Sequence, residues 1–267
     1  MSLRTITATR YVTPLREGGS LPAIIEADDD GMYVLKFRGA GQGPKALIAE
    51  LVAGELARAL GLAVPEVVLV ELDPELARTE PDPEIQSLIR ESAGLNLALD
   101  YLPGSITFDP IVEKIDTDLA SAIVWFDAFV TNVDRTPRNA NLLMWHKKLW
   151  LIDHGAALYF HHTWTNYLER SRDPFSNIKD HVLLPFVSEA SLREVDAKMI
   201  EHTTTKVISD VLKLIPEEWL RSNSHVGDPS FGDAAAYRSA YSMYLQSRLT
   251  APRVFVEEAI RARSLSV

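Results

Sequence analysis

Asp134, Asn139 and Asp153 have the types and spacing of a phosphoryl-transfer centre. They are a carboxylate, an amide five residues on, and a second carboxylate that leads into His154-Gly155 after a short apolar run. Moving a phosphoryl group requires one carboxylate to orient an attacking hydroxyl and accept its proton. It also requires oxygen ligands that hold Mg²⁺ against the nucleotide phosphates. Asp134 suits the first task. Asn139 and Asp153 suit the second, because Mg²⁺ is a hard cation that takes carboxylate and amide oxygens together with phosphates and waters. Asp-x-Gly alone is commonly just a turn, so the ordered set carries the signal.

The flanking sequence supplies the elements that would hold these groups. Leu142 to Trp145 and Leu149 to Ile152 are apolar runs joined by His146-Lys147-Lys148, the pattern of a small hairpin. Such a hairpin leads away from the Asp134–Asn139 loop and returns Asp153 beside Asn139. Gly155 is expected to relax the backbone where the carboxylate turns inward. Upstream, Asp116-Thr117-Asp118 can cap a helix whose stripe is Leu119, Ile123, Phe126 and Val130, and this helix runs straight into Asn132.

Read together, NxDRxxxN from Asn132 to Asn139 and IDHG from Ile152 to Gly155 resemble the catalytic and metal loops of HipA-like kinases. They also resemble those of the related phosphoinositide kinases; both groups lie in the wider protein-kinase-like superfamily. Eukaryotic protein kinases carry HRDxxxxN and DFG at the comparable places. Asn132 here stands where that His would be, and His154 where the Phe would be. LARALGLAVPE, from Leu56 to Glu66, adds a further match to the HipA-like pattern. The resemblance implies an α+β, two-lobed protein-kinase-like fold. Residues 1–99 would form a β-rich nucleotide-clamp lobe with one long helix, and residues 100–267 a mainly helical catalytic lobe. It also implies ATP and Mg²⁺. HipA proper is a serine/threonine kinase of toxin–antitoxin systems with an extra amino-terminal subdomain. This chain begins almost directly at the expected nucleotide lobe, so neither toxin activity nor an antitoxin partner is carried over.

For the nucleotide side, Pro22 to Ala27 and Met32 to Phe37 are apolar runs separated by Asp28-Asp29-Asp30-Gly31, a strong hairpin signal. Just ahead, Arg16 to Ser20 contains Gly18, Gly19 and Ser20, whose backbone amides could approach phosphates. The stretch departs from GxGxxG, and an ordinary hairpin tip is the alternative. Ser20 would echo the autophosphorylation of the family's loop. In YVLKF, Tyr33, Leu35 and Phe37 form one strand face, and Val34 and Lys36 the other. Lys36 is placed to hold the α- and β-phosphates; a solvated strand lysine is the plainer reading. A helix follows from Pro44, with Gly61 as its stop and Ala49, Val52, Ala53, Leu56 and Leu60 as its stripe. Glu50 lies at the stripe's edge and Glu55 well away from it, so Glu50 is the expected partner of Lys36. Val67 to Leu72 reads as a strand. The acidic, proline-rich stretch from Asp73 to Glu84 reads as a solvated surface excursion. Leu95 to Leu99 is another apolar run, and the resemblance makes Asp100, Tyr101 and Leu102 the hinge whose backbone binds the adenine edge.

Ser191 to Leu220 and Gly232 to Leu265 have helical patterns, with breaks near Ser222 to Pro229 and at Pro252. Ile178-Lys179-Asp180-His181 has no assigned role. Arg135 and Arg138 either neutralise phosphate charge or pair structurally with nearby acids. His154, His161 and His162 with Asp153 are an alternative metal cluster, disfavoured by their spacing. A length of 267 residues with 46% hydrophobic content suffices for one such unit. The absence of cysteine excludes disulfides and cysteine-based zinc sites. No apolar run approaches roughly 18 residues and no signal peptide is evident, which reads as a soluble, cytoplasmic protein with no membrane association. A net charge of −10 argues against direct nucleic-acid binding. The expectation is an ATP-dependent kinase, with a protein serine or threonine as the acceptor that the resemblance favours. A lipid or small-molecule alcohol kinase is the alternative. A nucleotide-binding pseudokinase acting through a partner is a third, disfavoured because Lys36, Asp134, Asn139 and Asp153 are all retained.

Overall fold

In the computed structural model, which describes residues 2–15, 21–221 and 231–265, period-two strands build the first part of the chain. β1 (Thr5–Pro14), β2 (Ala23–Ala27), β3 (Met32–Lys36), β4 (Val67–Leu72) and β5 (Gly94–Asp100) close into a barrel in the order β1-β2-β3-β5-β4. Neighbours are antiparallel except at the β1–β4 seam, where Thr5 lies opposite Leu69 and Thr7 opposite Glu71. Closure leaves no open strand edge. Ile6, Ala8, Ile25, Leu35, Val68, Val70 and Ala98 fill the interior. β1 has no counterpart in the sequence reading. Only Ile6 and Ala8 of its ten residues are buried, too sparse an alternation to register.

α1 (Pro44–Ala59) lies between the barrel and the helices that follow. Its side chains share one core with Val67, Leu97 and Leu99 of the barrel wall and with Val124 and Phe126 beyond it. Pro44 sits in its first turn, and Gly61, at φ +83°, supplies the left-handed stop. A single apolar stripe was too narrow an expectation, since every residue from Leu47 to Ala57 is buried. Glu55 is buried with them and pairs with Arg58 at 2.8 Å. The expected surface excursion at 73–84 is mostly exposed, but it carries helical turns and buries Ala77 and Glu80. Asp73 caps a 3-10 turn at Pro74–Thr79, and Asp82 caps α2 (Pro83–Glu91). Ala77 and, from α2, Ile85 and Ile89 pack into the barrel core. The prolines and acids that suggested exposure are helix-start residues.

After the barrel, β6 (Ile106–Thr107) joins the hairpin of β7 (Leu142–Trp145) and β8 (Lys148–Leu151). The hairpin closes through His146 and Lys147, both at positive φ (48° and 61°), as a two-residue turn requires. α3 (Thr117–Val130) is buried from Ile123 onward and packs on α5 (Glu189–His202), α8 (Ala234–Leu249) and α9 (Val254–Leu265). α4 (Tyr167–Arg170), α6 (Thr205–Leu212) and α7 (Glu217–Arg221) complete the helices among the described residues. The helical pattern from Ser191 to Leu220 is thus interrupted at Thr203-Thr204 and before Pro216. The break expected near Ser222 to Pro229 lies outside the described residues. No described helix is long and apolar enough to cross a membrane.

Asp116 caps α3 by accepting from the backbone N–H of Asp118 (3.0 Å) and Leu119 (3.1 Å). Asp116→Ala is expected to cost about 1 kcal/mol of unfolding free energy. A urea titration checks this; an unchanged midpoint would show that burial alone fixes the start of α3.

Candidate active site

Three segments distant in sequence meet at Lys36. The lysine ends β3, and its Nζ lies 2.7 Å from Asp153 Oδ1 and 3.6 Å from Glu50 Oε2. Burial alone would favour the neutral amine, yet the charges of Glu50 and Asp153 outweigh it and hold the ammonium above its ordinary pKa. Glu50 is almost fully buried in α1, and its Oε1 also accepts the backbone N–H of His154 at 3.0 Å. One carboxylate therefore grips both the barrel lysine and the turn that follows Asp153. Burial opposes its ionisation, but Lys36 and His154 lower its pKa from 4.5 to about 2. His154 is fully buried beneath it, edge-on to Phe126 at 6.3 Å.

The left-handed residue at this turn is Asp153 itself (φ 54°), not Gly155. Aspartate tolerates that conformation better than most residues, and the twist presents its carboxylate to Lys36. A Cβ at Gly155 would stand at ordinary contact distance, 3.7 Å, from Glu50 Oε2 and Ala46 O.

On the facing loop, Asp134 Oδ2 accepts from Asn139 Nδ2 at 2.7 Å, and Asn132 Oδ1 accepts the Asp134 N–H at 3.2 Å. Thr136 and Asn139 exchange backbone hydrogen bonds of 3.0 Å in each direction, which folds Asn139 back over the carboxylate. Burial and the nearby Asp153 charge push the Asp134 carboxyl above its ordinary pKa. Asp134, Asn139 and Asp153 thus belong to one polar cluster. Its donors are two carboxylates and an amide oxygen, with Asp153 partly exposed. Among the described residues no group of three His, Cys, Asp or Glu side chains is arranged to hold a metal. Two acids whose charges repel, plus an amide, suit a hard divalent cation that keeps water and phosphate oxygens in its shell. The histidine-cluster alternative fails, because the His154 ring packs against Phe126 and His161 bonds to the Tyr241 hydroxyl at 2.9 Å.

Beneath both loops lies a residue that the sequence reading did not single out. Asp127 of α3 has no exposed surface, and its carboxylate takes three side-chain donors. Asn132 Nδ2 reaches Oδ1 at 3.0 Å; Arg135 Nε (2.6 Å) and His181 Nε2 (2.9 Å) reach Oδ2. His181 Nδ1 accepts the Leu183 N–H at 3.0 Å, so the ring proton sits on Nε2 and is donated to Asp127. Arg135 extends the network to the carbonyls of Asn141 and Ile152, where the hairpin leaves and returns. Burial alone would raise the Asp127 pKa, but Arg135 and the His181 bond hold it well below the carboxylate range. Arg135 is therefore a structural ion-pair partner, whereas Arg138 is exposed. The only available hint was position: an acid at 127 inside an otherwise apolar helix.

At the expected hinge, the Asp100 N–H donates to Glu66 O (2.9 Å) and the Tyr101 N–H to Met32 O (3.0 Å). Gly18, Gly19 and Ser20 lie outside the described residues; β1 and β2, which flank them, are antiparallel neighbours.

A family model described as HipA-like kinase matches residues 9–241. No curated protein matches the sequence. Among solved structures, the proinflammatory kinase CtkA of Helicobacter pylori superposes with a TM-score of 0.57 at 13% identity, covering 98% of this chain and 99% of that one. The Golgi casein kinase with Mn/ADP bound gives a TM-score of 0.50 at 12% identity, covering 95% of this chain and 74% of that one. These likenesses show a kinase-like fold in a mixed α/β chain.

Two outcomes follow for stability. Asp127→Ala leaves the Arg135 charge buried without its carboxylate and is expected to cost about 3–5 kcal/mol. A loss below about 1 kcal/mol in urea would remove the network's structural role. Glu50 has a depressed folded pKa, so its stabilisation is complete above the ordinary 4.5 and is lost as pH falls towards about 2. Melting temperature should fall over that window, and less steeply in Glu50→Gln. Parallel profiles would contradict the assignment.

Proposed function

Because the chain belongs to the HipA-like kinase family, we propose that it transfers the γ-phosphoryl group of ATP to a serine or threonine hydroxyl of a protein. The observation that carries this reading is the meeting of Lys36, Glu50 and Asp153 opposite Asp134 and Asn139. In this reading residues 1–99 form the nucleotide-clamp lobe and residues 100–267 the catalytic lobe, with α1 between them. Lys36, held charged by Glu50, neutralises the α- and β-phosphates. The Leu102 amide donates to the adenine edge. Asp134 orients the acceptor hydroxyl and receives its proton as its oxygen bonds to the γ-phosphorus and the bond from that phosphorus to the β,γ-bridging oxygen breaks, releasing ADP. Asn139 and Asp153 would hold a divalent cation, Mg²⁺, which supplies charge neutralisation at the transferring phosphates. The Golgi casein kinase, crystallised with Mn/ADP, supports nucleotide and divalent-metal use in this fold.

The test is transfer of label from γ-labelled ATP to protein. Asp134→Asn is expected to lower kcat by about 10²–10⁴-fold, as removal of a general base does, with ADP affinity retained. Lys36→Met should weaken both ADP binding and transfer. Label entering only a lipid or metabolite fraction would replace the protein acceptor with a small alcohol. Undiminished transfer by Asp134→Asn would overturn the assignment of the base.

A further inference from the structure

Beside the catalytic loop, outside the nucleotide constellation, lies a cavity of about 430 Å³. Thr131 and Val133, the latter adjacent to Asp134, form one wall; Tyr159, from the segment after Asp153, forms another. Phe175 and Tyr244 contribute aromatic surface, and Tyr244 is itself stacked on Phe160 at 3.5 Å between ring centres. None of the proposed nucleotide-binding residues lines it. A concave space of this size, mixing aromatic surface with a few polar groups, is typical of a specific binding pocket.

The charges in the cavity differ in availability. Arg248 is a structural cation: its guanidinium donates to the carbonyls of Phe129 (2.9 Å), Ala128 (2.6 Å) and Ser171 (3.0 Å) and sits over Phe255. Arg170 is different. Its Nη1 donates to Thr163 O at 2.6 Å, and among the described residues it forms no ion pair, although Asp173 is only three residues away. A half-buried guanidinium on aromatic walls, with donors beyond the one that Thr163 takes, is suited to bind a carboxylate in a fork. Asp173 on the same rim disfavours a purely anionic ligand and fits an acidic group carried on a larger, partly polar body.

We propose that this cavity is an acceptor subsite that selects a serine- or threonine-containing segment with an acidic residue near its hydroxyl, through Arg170. The proposal rests on the protein-kinase reading above and adds sequence preference to it. Val133 joins the two sites: a chain whose acidic side chain reaches Arg170 passes the residue next to Asp134 on its way to the base.

The probe is an array of short serine peptides in which each flanking position carries glutamate, its neutral isostere glutamine, or lysine, labelled from γ-labelled ATP. In the wild type the best glutamate position should exceed its glutamine counterpart in kcat/KM by roughly tenfold, the scale of one charge-assisted hydrogen bond. The preference should vanish in Arg170→Gln and turn towards lysine in Arg170→Glu. Because each readout is a ratio within one protein, it does not depend on how much of a variant folds. Equal use of glutamate and glutamine by the wild type overturns the subsite while leaving the kinase reading intact. An unchanged preference in Arg170→Gln overturns the role of Arg170. Labelling of no peptide by the wild type removes the protein acceptor, and the subsite with it.

Discussion

The buried Asp127–Arg135 pair is the constraint on which the rest of the site depends. An ionised carboxylate without exposed surface is tolerated only when it is paired and fully hydrogen-bonded, and Asp127 meets that condition by drawing three donors from two segments. Asn132 and Arg135 bring the loop that carries Asp134, and His181 brings the segment before α5. Arg135 spends its other bonds on Asn141 and Ile152, at the exit and return of the β7–β8 hairpin. Removing any one of these contacts leaves a polar group stranded in a dry interior. The loop carrying Asp134 and Asn139 and the turn carrying Asp153 are consequently held in one register.

A second carboxylate works from the other side. Glu50 fixes the barrel to that turn, since it holds Lys36 at the end of β3 and the His154 amide at once. Between the two anchors lies an unbalanced cluster. One ammonium faces Glu50 and Asp153, and Asp134 feels the Asp153 charge. Excess negative charge around a single lysine is costly for folding alone, and it is the arrangement that a divalent cation carrying phosphates would relieve. The backbone carries a related cost, because Asp153 sits at φ 54° where few side chains are comfortable.

Much of this was legible in the sequence, for physical reasons that can be named. The clustering of Asp134, Asn139 and Asp153 was expected from their types and spacing, and the β7–β8 hairpin between Asn139 and Asp153 is visible as two apolar runs around a short polar turn. The Lys36–Glu50 contact was expected from the kinase resemblance together with the position of each residue in its strand and helix. What was not legible depends on three-dimensional context. β1 buries only Ile6 and Ala8, so it carried almost no pattern. α1 is enclosed on all sides, so a one-stripe reading placed Glu55 wrongly. The turns capped by Asp73 and Asp82 were not legible, because a helix cap and an exposed loop use the same residues. Asp127 and His181 are 54 residues apart, and no local rule links them.

The most direct test of the account is a calorimetric titration of ADP with and without Mg²⁺, on the wild type and on Asn139→Ala/Asp153→Ala. The account predicts that the metal tightens ADP binding in the wild type, and that the double variant loses this dependence while its fold persists. Metal-independent ADP binding in the wild type, or an unchanged metal effect in the variant, would contradict it.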